Sequence, residues 1–206
     1  MGTAALARRA GLIKPLLVLG VACSCPKALA CELSLVAPAT SALKHPVQAD
    51  AALADGALTV RFAVSTRRLN AKKVLGAGEY PYQFDVVELF VTFSDNGFPY
   101  FEFEVSPFNQ NFQVRIESRK EHHEGVDLGL TSTAAIAPGG WNAELKIPLK
   151  PLGWDGDPAK IRGNFYSTLG QGQRSYWSTF LPKAATPNFH QPEYFMPLLQ
   201  CGATTQ

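Results

Sequence analysis

Glu88 sits inside an otherwise apolar run, Phe84 to Phe93, and Glu102 and Glu104 recur two residues apart in the run that follows. A carboxylate in such a place needs a reason, because an unpaired buried charge is costly. Three readings stay open for these groups. They could hydrogen-bond a ligand, pair with Arg115, Lys146 or Arg162 from neighbouring strands, or perform the acid–base chemistry that paired carboxylates bring to glycosides. Arg162, Asn164 and Tyr166 alternate along a later run and share one face if that run is a strand, and Arg174, Tyr176 and Trp177 follow. Flat aromatic faces suit the C–H surface of a sugar, while Glu, Arg and Asn suit its hydroxyls. Small-ligand clefts in general use similar mixtures, so composition alone does not choose the ligand.

Templates for catalysis are missing. The chain has no G-x-S-x-G, no H-E-x-x-H, no phosphate-binding loop and no dinucleotide fingerprint. His122 and His123 stand in a charged segment, Glu117 to Glu124, and read as an exposed loop, with a chance metal site as the alternative. Trp141 opens an alternating run with Ala143, Leu145 and Ile147 and reads as core. Trp154, beside Gly153 and Asp155, is either a lid over the core or a binding platform. These features argue for a protein that binds and does not catalyse.

The elements that must position these residues are strands. Ala57 to Val64 alternates apolar and polar residues, as a half-buried strand does. Asp95-Asn96-Gly97 supplies the positive φ of a tight hairpin between Phe84–Phe93 and Pro99–Ser106. In the second of these runs Phe101, Phe103 and Val105 face one way and Tyr100, Glu102, Glu104 and Ser106 the other. Further strands are read at 111–117, 131–136, 141–147, 161–168, 175–180 and 194–199. Helical periodicity is absent, and Arg67 to Glu79 reads as an exposed basic loop with a solvated face. About nine or ten short strands with regular turn signals predict an all-β, immunoglobulin-like antiparallel β-sandwich.

The N-terminus reads as a secretory leader over residues 1–30. Arg8, Arg9 and Lys14 precede an apolar run from Pro15 to Cys25, and Ala28-Leu29-Ala30 gives the small-x-small cleavage pattern. That run is too short for a permanent span, which needs about 20 residues. Residues 31–206 then form one exported domain, periplasmic or extracellular. Four of the 19 basic residues fall in the leader and all 17 acidic residues after it, leaving 15 against 17, or about −2. Such a balance gives no footprint for nucleic acid or anionic lipid. Cys31 and Cys201 stand at the two ends of the exported chain. In an oxidising compartment they can pair, a bridge worth roughly 4–5 kcal/mol in the loop-entropy picture. Lipidation of Cys31 or Cys23 is the competing reading.

Five segments occur in one order: Tyr80-Pro81-Tyr82 with Asp85 to Val91, Tyr100 to Pro107, Gly140 to Pro148, Arg162 to Tyr166, and Pro187 to Glu193. Together they resemble the carbohydrate-binding family 9-like domain, a sandwich related to the DOMON group, over roughly residues 55–199. The resemblance implies non-catalytic recognition of a sugar or glycan end clamped between two aromatic side chains, here Tyr82 and Trp177. Glu88, Glu102, Arg162 and Asn164 would supply its hydrogen bonds. It implies no catalytic cofactor, although calcium occurs in some such domains. Related haem-binding sandwiches offer a second reading, a b-type electron-transfer module that would draw on His190 and Met196. A third is a ligand-free docking domain.

Overall fold

The computed structural model describes residues 29–34, 47–172, 174–181 and 188–199. Among the described residues there are twelve strands: β1 (Leu29–Ser34), β2 (Val47–Ala54), β3 (Ala57–Ser65), β4 (Val86–Thr92), β5 (Tyr100–Val105), β6 (Asn111–Ser118), β7 (Glu121–Glu124), β8 (Thr131–Ala137), β9 (Gly140–Pro148), β10 (Arg162–Leu169), β11 (Ser175–Ser178) and β12 (Met196–Pro197). One sheet has five strands in the order β1-β2-β3-β9-β8. The other has seven, in the order β11-β10-β4-β5-β6-β7 with β12 added beside β10. All pairings are antiparallel. The all-β sandwich expected from the sequence is what forms.

Alternation decides what each sheet buries. Val60, Phe62, Trp141, Leu145 and Ile147 from the five-stranded sheet meet Val87, Leu89, Phe101, Phe103 and Phe165 from the seven-stranded one. Each buried side chain of this size contributes about 1.5–3 kcal/mol by leaving water. Trp141 belongs to this interior, and the half-buried Trp154 packs against its edge with its indole N–H bonded to the Asp157 carbonyl at 2.8 Å. Trp154 is therefore a lid over the core.

β4 and β5 are buried on both faces along their whole length, which alternation alone does not anticipate. A second apolar cluster on the outer face of the seven-stranded sheet explains it. Phe90, Tyr100, Ile116 and Tyr166 are covered there by Phe189 and Phe195 from the segment that ends the described chain. The Tyr166 hydroxyl donates to the Phe189 carbonyl at 3.0 Å, and Arg162 donates to the Phe195 carbonyl at 2.9 Å. One end of the outer face is thus roofed; the other stays open.

Three strands exceed the expected set. β2 is alanine-rich and lacks the bulky β-formers that mark a strand, and β7 (EHHE) has no apolar residue at all. The expected strand at 194–199 shrinks to a 3-10 turn, Pro192–Tyr194, and the two-residue β12. β1 pairs with β2 from Leu29 onward, across the expected leader boundary after Ala30. The Cys31 backbone lies in β1, but Cys201 and residues 1–28 lie outside the described residues, and with them the bridge and the leader.

Candidate functional site

Glu88, Glu102 and Glu104 come together at the open end of that outer face. Antiparallel register sets Glu88 on β4 directly opposite Glu104 on β5, with Glu102 two residues along on the same face. One carboxylate oxygen from each lies within 4.8 Å of the others, and all three side chains are buried. Like charges placed directly opposite each other destabilise a sheet, so this arrangement works against folding unless something offsets it.

None of the basic residues considered as partners supplies the offset. Arg115 pairs with Glu117, Arg162 is committed to the Phe195 carbonyl, and Lys146 lies on β9 in the other sheet. Among the described residues the cation that acts on Glu88 is Arg174, whose guanidinium donates to the Tyr82 and Phe84 carbonyls at 2.8 and 2.6 Å. Burial pushes the Glu88 carboxyl well above the usual range, the negative charge of Glu102 adds to the effect, and Arg174 and the Thr168 hydroxyl oppose it. Glu104 is raised likewise, by burial first and then by Glu88 and Glu102. Glu102 is pushed up to about 7, mainly by burial and further by Glu124.

Above the carboxylates is a cleft of about 390 Å³. Its walls are Tyr82, Phe112, Tyr176 and Phe189, with Glu124, His122 and His190 along one side and Arg174 on the other. Tyr82 is 43 % exposed and stacks on Tyr80 with ring centroids 5.3 Å apart, while Phe112 meets Tyr80 edge-on. The 3-10 turn Pro81–Gln83 carries Tyr82, and polar groups hold it from both sides. Glu104 Oε2 accepts its N–H at 3.0 Å and Arg174 binds its C=O. Asp85, fully buried, accepts from the Asn70 and Gly170 N–H groups at 2.9 and 2.6 Å and fixes the base of the same loop. Arg174 also sits 5.9 Å from the centroid of the Tyr176 ring.

The residues expected to form a site separate into two groups. Tyr82, Glu88 and Glu102 line the cleft together. Arg162 and Asn164 share the face of Glu88, since they pair with Thr92 and Phe90 on β4, but neither lines the cleft. Asn164 is fully buried and its Oδ1 accepts from the Thr179 and Phe180 N–H groups, so it turns the chain after β11. Trp177 is a correction. It pairs with Ser167, points into the sandwich and is only 2 % exposed, so its neighbour Tyr176 takes the place on the cleft wall. His122 and His123 lie in strand β7, not in a loop, and His122 stacks against His190 at 6.0 Å. His190 Nδ1 bonds the Tyr100 hydroxyl at 2.8 Å, whereas Met196 is 40 % exposed and outside the cleft lining. Glu104, Arg174 and Tyr176, noted in the sequence but left out of the expected site, line the cleft, as do Glu124, Phe112 and Phe189, which carried no such reading.

A second, larger depression of about 670 Å³ crosses the outer face of the five-stranded sheet. Its charged side chains are already paired: Arg61 bonds Glu144 at 2.7 Å and approaches Asp50 at 3.5 Å. Phe62, the one aromatic residue against it, points inward to the core. It has no flat face for a ligand. Among the described residues no helix is long and apolar enough to cross a membrane.

No protein-family model matches the chain, and no curated protein matches it. Solved structures do. A suspected carbohydrate-binding protein from Bacteroides uniformis superposes with a TM-score of 0.65 at 18 % identity, covering 81 % of this chain and 83 % of that one. A carbohydrate binding module of family 9 from Caldicellulosiruptor kristjanssonii, in complex with cellotriose, gives 0.51 at 18 % identity over 81 % and 79 %. A structure of such a module from the same organism with glucose gives 0.53 at 16 % identity over 84 % and 86 %. The chain has the fold of carbohydrate-binding family 9.

Proposed function

We propose that this is an exported, non-catalytic carbohydrate-binding module that holds a sugar or glycan end in the cleft over Glu88, Glu102 and Glu104. The observation that carries this reading is the pairing of an aromatic wall with a buried, hydrogen-bond-hungry floor. Tyr82 and Tyr176 offer flat faces to sugar C–H groups, while the glutamates accept from hydroxyls and Arg174 donates. At about 390 Å³ the cleft lies near the small end of ligand sites, about 300–1,000 Å³, as suits one end of a chain. Structural neighbours that hold glucose and cellotriose support the same ligand class. The leader-like N-terminus supports a place outside the cytoplasm.

Binding is favoured over hydrolysis by where the acids stand. A glycosidase flanks the scissile bond with two carboxyl groups and leaves room between them for the sugar or a water. Here Glu88 and Glu104 are direct cross-strand partners and Glu102 shares their face, so all three stand side by side beneath the cleft and do not flank a bond from two sides. Calorimetric titration with glucose, cello-oligosaccharides and a wider glycan panel tests the proposal. Saturable heat for at least one sugar, without release of a shortened product, is the expected result. Flat heats across the panel would refute it and favour a docking role.

A further inference from the structure

We propose that the depression between the end of β3 and the β10–β11 turn is a second binding site, for a small ligand that carries an oxyanion group (carboxylate, sulfate or phosphate). It stands apart from the cleft and does not rest on the carbohydrate reading above.

The depression holds about 410 Å³, within the range of small-ligand sites, about 300–1,000 Å³. Arg67, Arg68 and Asn70, which follow β3, form one side, and Leu169, Gly170 and Gln171 form the other. Alternation along residues 174–177 separates it from the cleft. Arg174 and Tyr176 line the cleft, whereas Ser175 and Trp177 line the depression.

Three observations give the chemistry of the ligand. The first is a pair of uncommitted cations. Arg61, Arg115 and Arg119 each bond a carboxylate, and Arg162 and Arg174 each bond backbone carbonyls. Among the described residues only the Arg67 and Arg68 side chains bond neither, and both border this depression. No carboxylate is among its walls. Asp85, which reaches Asn70 and Gly170 from beneath, is fully buried and spends its two oxygens on their N–H groups. The second is an orphan donor. Trp177 is buried, and its indole N–H finds no acceptor among the described residues. A buried donor left in that state is costly, and an acceptor reaching it from the depression would satisfy it. The Trp141 N–H is unpaired too, but Trp141 borders neither this depression nor the two described above. The third is preorganisation. Asn70 Nδ2 donates to the Gly170 carbonyl at 2.9 Å, Asp85 bridges the same two residues, and the Thr66 hydroxyl donates to the Arg68 carbonyl at 2.8 Å. The turn that carries both arginines is therefore fixed before a ligand arrives, which lowers the cost of binding.

Donors select the ligand. Guanidinium forks match carboxylate, sulfate and phosphate oxygens in pairs, and the hydroxyls of Ser65 and Ser175 add to them. An acceptor-rich, negatively charged group suits such walls, and an ammonium does not.

The test titrates the isotope-labelled protein, at low ionic strength and neutral pH, with sodium phosphate, glucuronate and glucose 6-phosphate, and with glucose as the neutral control. At least one anion should saturate, moving the Trp177 indole N–H signal together with the Arg68 and Gly170 amides. Trp177→Phe identifies the indole signal. The double variant R67Q/R68Q, changed only at exposed side chains, should melt within a few degrees of wild type and bind the anion at least tenfold more weakly. Binding of phosphate supports a bare oxyanion as the ligand, and binding of either sugar anion without phosphate supports an acidic sugar. No saturation by any anion overturns the proposal, as does equal affinity in R67Q/R68Q. Shifts confined to Tyr82, Arg174 and Tyr176 also overturn it, by placing the anion in the cleft. Anion binding here with flat heats for every neutral sugar keeps this proposal and removes the carbohydrate reading. Neutral-sugar binding with no anion response does the reverse.

Discussion

Raising the pH from 5 to 8 without divalent cations should destabilise this protein, and Glu102 should account for much of the loss. Its carboxyl is held at about 7, against an ordinary 4.5, chiefly because it is buried and further because Glu124 faces it. The folded chain therefore binds that proton more tightly than the unfolded chain does. The stability it contributes is fully present below about 4.5 and is lost as the pH rises to about 7, with nothing further from this group above that. At about 1.36 kcal/mol per pKa unit the loss is about 3 kcal/mol. Glu88 and Glu104, raised chiefly by burial, act in the same direction, and Arg174 opposes the effect at Glu88. Urea unfolding at pH 5 and pH 8 in EDTA, on wild type and E102Q, measures the difference. Wild type should lose about 3 kcal/mol more than E102Q between the two conditions. Equal losses, or a wild type as stable at pH 8 as at pH 5, would refute the electrostatic reasoning.

Neighbouring residues on β11 should behave oppositely. Trp177→Ala should cost about 3–5 kcal/mol of stability through the cavity it leaves, without changing sugar affinity per folded molecule. Tyr176→Ala should keep its melting temperature within a few degrees but weaken sugar binding at least tenfold, about 1.4 kcal/mol by calorimetry. On β10, a methyl group added at Gly163 would stand 2.0 Å from the Phe90 carbonyl oxygen, so Gly163→Ala should destabilise by about 1–3 kcal/mol in thermal or urea unfolding.

The sequence carried the fold further than the site, and particular residues show why. Alternation in Tyr100 to Val105 sorts Phe101 and Phe103 from Glu102 and Glu104, and the hairpin at Asn96-Gly97 brings Glu88 beside them. Tyr82 is legible only through the family resemblance, which places an aromatic residue before that strand. Trp177 is not, because Tyr176 and Trp177 necessarily point to opposite faces and only the register Thr168–Tyr176 decides which one meets the ligand. Arg162 and Asn164 lie on the expected face, but their capture by the Phe195 carbonyl and by the Thr179 and Phe180 N–H groups is a tertiary event that no local pattern encodes. The charged β7 gives no strand signal, so His122 reads as a loop residue and neither it nor Glu124 is placed at the cleft. Glu104 did carry one, the same two-residue spacing that marks Glu102.

The most direct test is to map, by amide chemical shifts, where cellotriose perturbs the labelled protein. The account predicts saturable changes at Tyr82, Glu102, Glu104, Arg174 and Tyr176, all around one cleft. Changes centred on Gln48, Arg61, Asn142 and Glu144, across the opposite sheet, would contradict it.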